Sequence, residues 1–140
     1  MPVRKANAVW EGSLEKGNGT MAFGNGAFEG AFTFASRFQE GPGTSPEELL
    51  AAAHAGCFSM AFANILTKAG FEPTKVETTA RVRIEAGQID LIQLESRAQV
   101  PNIDEAKFQE CAEQARVGCP VSKLFGNSAE IRLDAQLVGA

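Results

Sequence analysis

The sequence feature that most constrains the fold is a long segment without formal charge, because the chain carries no Asp, Glu, Lys or Arg between Leu49 and Leu66. Its 18 residues reach the lower limit for a membrane-spanning helix. The segment is rich in alanine, however, and it includes the polar residues His54 and Asn64. Alanine contributes little to membrane insertion. We therefore predict a helix buried on nearly all sides within a protein core, and no membrane anchor.

Capping signals mark both ends of this helix. Ser45 is the predicted N-cap, the proline after it suits the first helical position, and Glu48 completes a capping box. Gly70 ends the helix as a C-terminal glycine. The sequence thus predicts a central helix over residues 46–69, with a loop over residues 37–45 before it.

The other elements are predicted from hydrophobic periodicity and turn residues. They are short strands within residues 3–35, two longer strands at 75–85 and 88–100, helices at 103–117 and from 120, and a last strand at 130–138. The order β-β-β-α-β-β-α-α-β predicts one α+β domain over residues 1–140. We expect its buried helix to lie across a curved antiparallel sheet.

Charge and termini exclude some classes of protein. The net charge is −4 and no cluster of Lys and Arg appears, so the basic surface of a nucleic-acid-binding protein is missing. The opening residues MPVRKANAVW lack the apolar core of a secretion signal. We expect a cytoplasmic protein.

The chain has three cysteines, Cys57, Cys111 and Cys119, and a single histidine, His54. An odd number of cysteines in a chain without a secretion signal argues against structural disulfides. No C-x-x-C pair is present, and a closed zinc site normally needs four Cys or His ligands. We therefore predict no metal site.

Two cysteines are candidates for redox chemistry. Cys119 stands directly before a proline, at the cap or first turn of a helix, where the partial positive charge favours a thiolate. Cys57 lies about three turns into the central helix, too far from its start to gain from that charge. Burial raises the pKa of such a thiol, so a reactive Cys57 needs a cation nearby; without one it is a small core residue.

Arg37 is the available cation, because it precedes the Gly-Pro-Gly loop that leads into the central helix. Glu47, in the first turn of that helix, is placed to hold the guanidinium through two hydrogen bonds. Alternatively, Arg37 is an ordinary surface residue and Glu47 only complements the helix dipole.

The segment GPGTSPEELLAAAHAGCFSMAF at residues 41–62, together with GCPVSK at residues 118–123, resembles the OsmC/Ohr family of bacterial organic-hydroperoxide reductases, and more closely its OsmC branch. The resemblance extends over the whole chain. It implies an OsmC-like fold, with antiparallel sheets packed around the central helix in an intertwined homodimer. The active sites would lie at the dimer interface, and no metal or bound cofactor would be required.

The resemblance also implies a role for each candidate residue. Cys57 falls on the peroxide-attacking position and Cys119 on the resolving position, which closes a disulfide with it. Arg37 falls on the position that activates the thiolate, and Glu47 on the carboxylate that orients that arginine. The expected activity is reduction of organic hydroperoxides, and more slowly of hydrogen peroxide, in oxidative or osmotic stress defence. A dithiol, such as dihydrolipoamide, would restore the thiols.

Phenylalanine is abundant, with ten residues and no tyrosine. Phe38, Phe58 and Phe62 lie close in sequence to the candidate residues, which suggests an apolar pocket for bulky organic hydroperoxides. Cys111 lies on the apolar face of its helix, and we predict that it is structural.

Two alternative functions stay open at this point. In a Cys–His hydrolase, His54 would activate Cys57 from three residues away on the same helix face. In a non-catalytic small-ligand-binding module of the same fold, the cysteines would be inert.

Overall fold

A computed structural model describes residues 2–139. The elements in chain order are β1 (Ala6–Glu11), β2 (Asn18–Phe23), β3 (Glu29–Phe32), α1 (Phe34–Phe38), α2 (Pro46–Lys68), β4 (Lys75–Glu85), β5 (Gln88–Gln99), α3 (Glu105–Gly118), α4 (Pro120–Phe125) and β6 (Glu130–Leu137). The predicted α+β class, with two sheets and a long central helix, is confirmed.

Two compact units make up the described chain, one ending at Leu49 and the other beginning at Leu50. Helix α2 starts in the first unit and continues through the second. The single domain over residues 1–140 therefore stays a prediction, and its two terminal residues lie outside the described part.

The first unit contains an antiparallel sheet with β2 between β1 and β3, followed by helix α1. Helix α1 was not predicted, because the sequence pattern indicated strands within residues 3–35 and a loop from residue 37. Thr33 caps this helix by accepting a hydrogen bond from the Ser36 amide at 3.1 Å, and the Ser36 hydroxyl accepts from the Thr33 amide at 2.8 Å. Ser36 stands where a capping box usually has Glu or Gln, which hides the signal.

The second unit contains a mixed sheet in the order β4-β5-β6. Strands β4 and β5 form an antiparallel hairpin whose turn residues, Ala86 and Gly87, both have positive φ, at 51° and 78°. Strand β6 pairs with β5 in parallel. The predicted all-antiparallel arrangement is wrong at this pair, because helices α3 and α4 carry the chain back to the starting end of β5, as a parallel crossover requires.

The core of the second unit is built on one stripe of α2. His54, Phe58, Phe62 and Leu66, spaced four residues apart, are all fully buried. The Phe62 ring lies 5.5 Å from the Phe58 ring and 5.3 Å from the Phe108 ring of α3, between ring centroids. These contacts fix α2 against α3 through aromatic packing.

The opposite face of α2 is open in the single chain, and Met60 keeps 77% of its surface exposed. The predicted burial on nearly all sides is therefore wrong for one chain alone. By length and composition only, α2 would be able to span a membrane, a criterion that core helices also meet.

The predicted ends of α2 are largely correct. The Ser45 hydroxyl accepts a hydrogen bond from the Glu48 amide at 3.0 Å, but the Glu48 carboxylate accepts from the Thr44 hydroxyl at 2.8 Å, so only half of the capping box forms. At the other end Gly70 has φ +97°, and the Phe71 amide donates to the Leu66 carbonyl at 2.9 Å. This is the hydrogen-bonded glycine end that the sequence predicted.

Candidate active site

Cys57 and Cys119 meet side by side in the second unit. The Cys119 thiol donates to the Cys57 sulfur, with the two Sγ atoms 2.8 Å apart, although the residues are 62 positions apart in sequence. A covalent disulfide has an S–S length of about 2.05 Å, and both residues are free thiols here. Cys119 is fully buried and Cys57 is half-buried, so the Cys57 residue is the more accessible to solvent.

Cys119 occupies the junction between two helices. Its amide donates to the Ala115 carbonyl at 2.9 Å and ends α3, while the residue itself is the N-cap of α4 with Pro120 in the first position. The predicted place at a helix start is confirmed. Its side chain makes no capping hydrogen bond, and its thiol points instead to Cys57.

The surroundings of Cys57 favour its protonated form. Burial raises the pKa of the Cys57 thiol above its ordinary value. The backbone amide of Val121 acts in the opposite direction and lowers this pKa. Burial is the larger of these two opposing effects, so the pKa of Cys57 lies above its ordinary value.

Arg37 and Glu47 form an ion pair in the first unit. Arg37 Nε donates to Glu47 Oε1 and Nη2 donates to Oε2, each at 3.2 Å. Glu47 is buried, and the Arg37 side chain keeps 34% of its surface exposed. The Arg37 guanidinium carbon also lies 5.0 Å from the centre of the Phe38 ring. Arg37 belongs to the last turn of α1, not to the predicted loop, because the Thr33 cap starts a helix before it.

An aromatic cavity of about 240 Å³ adjoins Arg37 in the first unit. Its walls come from β1 and the turn after it, from β3, and from α1 with its N-cap, and consist of Trp10, Leu14, Phe32, Thr33, Phe34, Arg37 and Phe38. Of the predicted pocket residues, Phe38 is in this wall, whereas Phe58 and Phe62 are core residues with no exposed surface. No sequence signal indicated Trp10, Phe32 and Phe34, because strand pairing and α1 bring them together and not proximity in sequence.

His54 makes no hydrogen bond to Cys57 of the kind that the hydrolase hypothesis would require. Its Nε2 lies 2.7 Å from the Ser122 hydroxyl of α4, and its Nδ1 is buried with no partner among residues 2–139. Burial lowers the pKa of the His54 imidazole. The ring is therefore neutral near pH 7 and is hydrogen-bonded to Ser122, so these residues form no Cys–His dyad. Ser122 was not predicted as a site residue, although it follows Cys119 by three residues.

Cys111 lies on the buried side of α3, as predicted, and keeps 1% of its surface exposed. Burial raises the pKa of this thiol. No group of three or more His, Cys, Asp or Glu side chains within residues 2–139 is arranged to bind a metal ion.

Comparisons with known proteins show the family to which the chain belongs. The family model described as OsmC-like protein matches residues 39–134. The chain is 44% identical over 139 residues to peroxiredoxin OsmC of Escherichia coli K12, covering 96% of each chain. It is 33% identical over 97 residues to an organic hydroperoxide resistance protein of Xanthomonas axonopodis pv. citri, covering 66% of this chain and 67% of the relative.

Solved structures share the fold at low sequence identity. An OsmC-like protein from Mycoplasma pneumoniae superposes with a TM-score of 0.74 at 18% identity, covering 98% of both chains. An organic hydroperoxide resistance protein from Legionella pneumophila superposes with a TM-score of 0.73 at 18% identity, covering 97% of this chain and 99% of the other.

Proposed function

The chain belongs to the OsmC-like family and is a cysteine-based peroxidase, and we propose that it reduces organic hydroperoxides with Cys57 as the attacking thiolate and Cys119 as the resolving thiol. The contact of 2.8 Å between the two sulfurs carries this proposal. A peroxidase that closes a disulfide needs two thiols within bonding reach, one of them accessible.

The cycle has three balanced steps. The Cys57 thiolate attacks the terminal oxygen of the hydroperoxide, the O–O bond breaks, and the alkoxide leaves and takes up a proton to become an alcohol. The resulting Cys57 sulfenic acid condenses with the Cys119 thiol, releasing water and forming the disulfide. A dithiol, of which dihydrolipoamide is one example, then reduces the disulfide by exchange and becomes oxidised itself.

Arg37 would supply the positive charge that the first step needs. Its guanidinium would stabilise the Cys57 thiolate and the developing alkoxide, because both carry negative charge. Glu47 would fix the orientation of the guanidinium through the two hydrogen bonds of 3.2 Å. The raised pKa of Cys57 supports this assignment, since the thiol needs such a cation to ionise near pH 7.

The aromatic cavity supports a preference for organic hydroperoxides over hydrogen peroxide. Its lining is largely apolar and includes Arg37, so an organic tail would bury surface there while the peroxide group meets the guanidinium. Relatives named organic hydroperoxide resistance protein support the same substrate class. We assign the activity to oxidative or osmotic stress defence.

We further propose that the chain forms an intertwined homodimer with its active sites at the interface. The open face of α2, which includes the 77%-exposed Met60, supports an interface that covers this helix. In sedimentation velocity, Met60→Asp should shift the protein towards monomer, while the control Met60→Leu should stay dimeric. A monomeric wild-type protein would contradict the assembly. We place the protein in the cytoplasm, where thiols are kept reduced.

Turnover of cumene hydroperoxide and of hydrogen peroxide with a small dithiol tests the function. We expect faster turnover of the organic substrate and no activity in Cys57→Ser. Cys119→Ser should keep activity when the dithiol reduces the sulfenic acid directly, while Cys111→Ser serves as the matched control. Wild-type activity in Cys57→Ser would refute the proposed function.

A further inference from the structure

A second polar contact joins the same two helices as the cysteine pair. His54 precedes Cys57 by three residues on α2, and Ser122 follows Cys119 by three residues on α4. His54 Nε2 and the Ser122 hydroxyl lie 2.7 Å apart, and the two sulfurs lie 2.8 Å apart. The two contacts therefore lie about one helical turn apart, and they join two helices that run in opposite directions.

The His54–Ser122 contact is fully enclosed. His54 has no exposed surface and Ser122 keeps 2%. The His54 ring also packs against Phe125, with ring centroids 6.1 Å apart, so it touches α4 on two successive turns. One histidine nitrogen, Nδ1, is buried and unpaired within the described chain, an arrangement that disfavours folding. An apolar residue at position 54 would avoid that penalty, which indicates that the histidine serves a purpose other than stability.

Helix α4 is short, and the His54–Ser122 bond ties its first turn to α2. It is six residues long and follows directly on the end of α3, with Cys119 in extended conformation at the junction. Oxidation changes the group that faces the Cys119 thiol, because the Cys57 sulfur then carries a hydroxyl. The His54–Ser122 bond involves neither sulfur, so it persists through that change.

We propose that His54 and Ser122 are positioning residues for the resolving step. Their hydrogen bond holds the first turn of α4 against α2, so that the Cys119 thiol stays within reach of the Cys57 sulfenic acid. The inference rests on the proposed function of Cys119. Burial keeps the His54 ring neutral, which agrees with a role in positioning and not in thiolate activation.

The step that the pair serves is the condensation of Cys57–SOH with Cys119–SH. The S–O bond breaks and the S–S bond forms, the Cys119 sulfur is oxidised and the Cys57 sulfur is reduced, and the thiol proton leaves with the hydroxyl as water. When this step is slow, a second peroxide oxidises the waiting sulfenic acid irreversibly to sulfinic acid. Loss of the pair should therefore slow disulfide closure and raise the yield of sulfinic acid.

The test follows the full-length reduced protein after one equivalent of cumene hydroperoxide, for the rate of disulfide closure, and after excess peroxide, for the yield of sulfinic acid. Samples are quenched with dimedone and an alkylating agent, and intact mass gives the sulfenic, disulfide and sulfinic forms over time. For Ser122→Ala we expect disulfide closure to slow roughly 3- to 10-fold, while the rate of sulfenic acid formation stays that of wild type. His54→Gln, which keeps a polar group for Ser122, should keep most of the wild-type rate of disulfide closure. Ser128→Ala, an exposed serine just beyond α4, is the matched control.

A double variant separates positioning from stability. His54→Phe with Ser122→Ala replaces both polar partners by apolar groups, a change that can be neutral for folding. We expect it to unfold like wild type in urea but to close the disulfide as slowly as Ser122→Ala. Disulfide closure at the wild-type rate in this variant would overturn the inference. Equal slowing of sulfenic acid formation and of disulfide closure in Ser122→Ala would also overturn it.

Failure of the inference and failure of the proposed function look different in this experiment. If wild type and variants close the disulfide equally fast, the proposed function stands and only the positioning role is wrong. If wild type forms a sulfenic acid but no Cys57–Cys119 disulfide, the resolving role of Cys119 is wrong and the inference falls with it.

Discussion

Replacing Glu47 by Gln keeps the shape of the side chain but removes the charge that holds Arg37. In the structure, Arg37 makes two hydrogen bonds of 3.2 Å to this carboxylate, which is itself buried. If Glu47 orients Arg37 for the attack on peroxide, its loss should slow the oxidation of Cys57 and leave the resolving step unchanged.

The geometry of the pair sets the size of this effect. A hydrogen bond to a charged group contributes about 1.5–3 kcal/mol when buried, and an exposed ion pair contributes about 0–1 kcal/mol. Arg37 keeps 34% of its side-chain surface exposed, so solvent screening reduces the buried value. A net contribution of about 1–2 kcal/mol corresponds to a rate loss of roughly 5- to 30-fold.

The assay is the second-order rate constant for loss of the Cys57 thiol with cumene hydroperoxide, measured at several pH values. Glu48→Gln is the matched control, because Glu48 is the exposed neighbour whose carboxylate bonds the Thr44 hydroxyl and not Arg37. A wild-type rate in Glu47→Gln would refute the orienting role, and so would an equal loss in Glu48→Gln.

Further predictions concern stability and the remaining cysteine. Phe62→Ala should lower the free energy of unfolding by about 3–5 kcal/mol in urea, because the ring is fully buried between two others. Gly70→Ala should lower it by about 1 kcal/mol, since φ at this residue is +97°. Cys111→Ala should leave peroxide turnover unchanged.

Local signals in the sequence were sufficient for part of this structure. The uncharged segment predicts α2, Gly70 predicts its end, and the proline after Cys119 predicts a helix start at that cysteine. Each of these features depends on residues within about one turn of each other. The signal for helix α1 is also local, but its capping box has Ser36 where Glu or Gln is usual, so the helix was not predicted.

Features that depend on tertiary contacts were not accessible from sequence patterns. The parallel pairing of β6 with β5 depends on the path of the two helices between them. The partnership of His54 with Ser122 joins residues 68 positions apart, which no periodicity reveals. The open face of α2 shows a further limit, because an apolar helix has the same sequence pattern whether its own chain or a partner covers it.

Disulfide mapping after one equivalent of cumene hydroperoxide tests the central claim most directly. The reduced wild-type protein should lose two thiols, and peptide mass spectrometry should find Cys57 linked to Cys119, with Cys111 still a free thiol. A linkage through Cys111, or consumption of the peroxide while Cys57 stays reduced, would contradict the account.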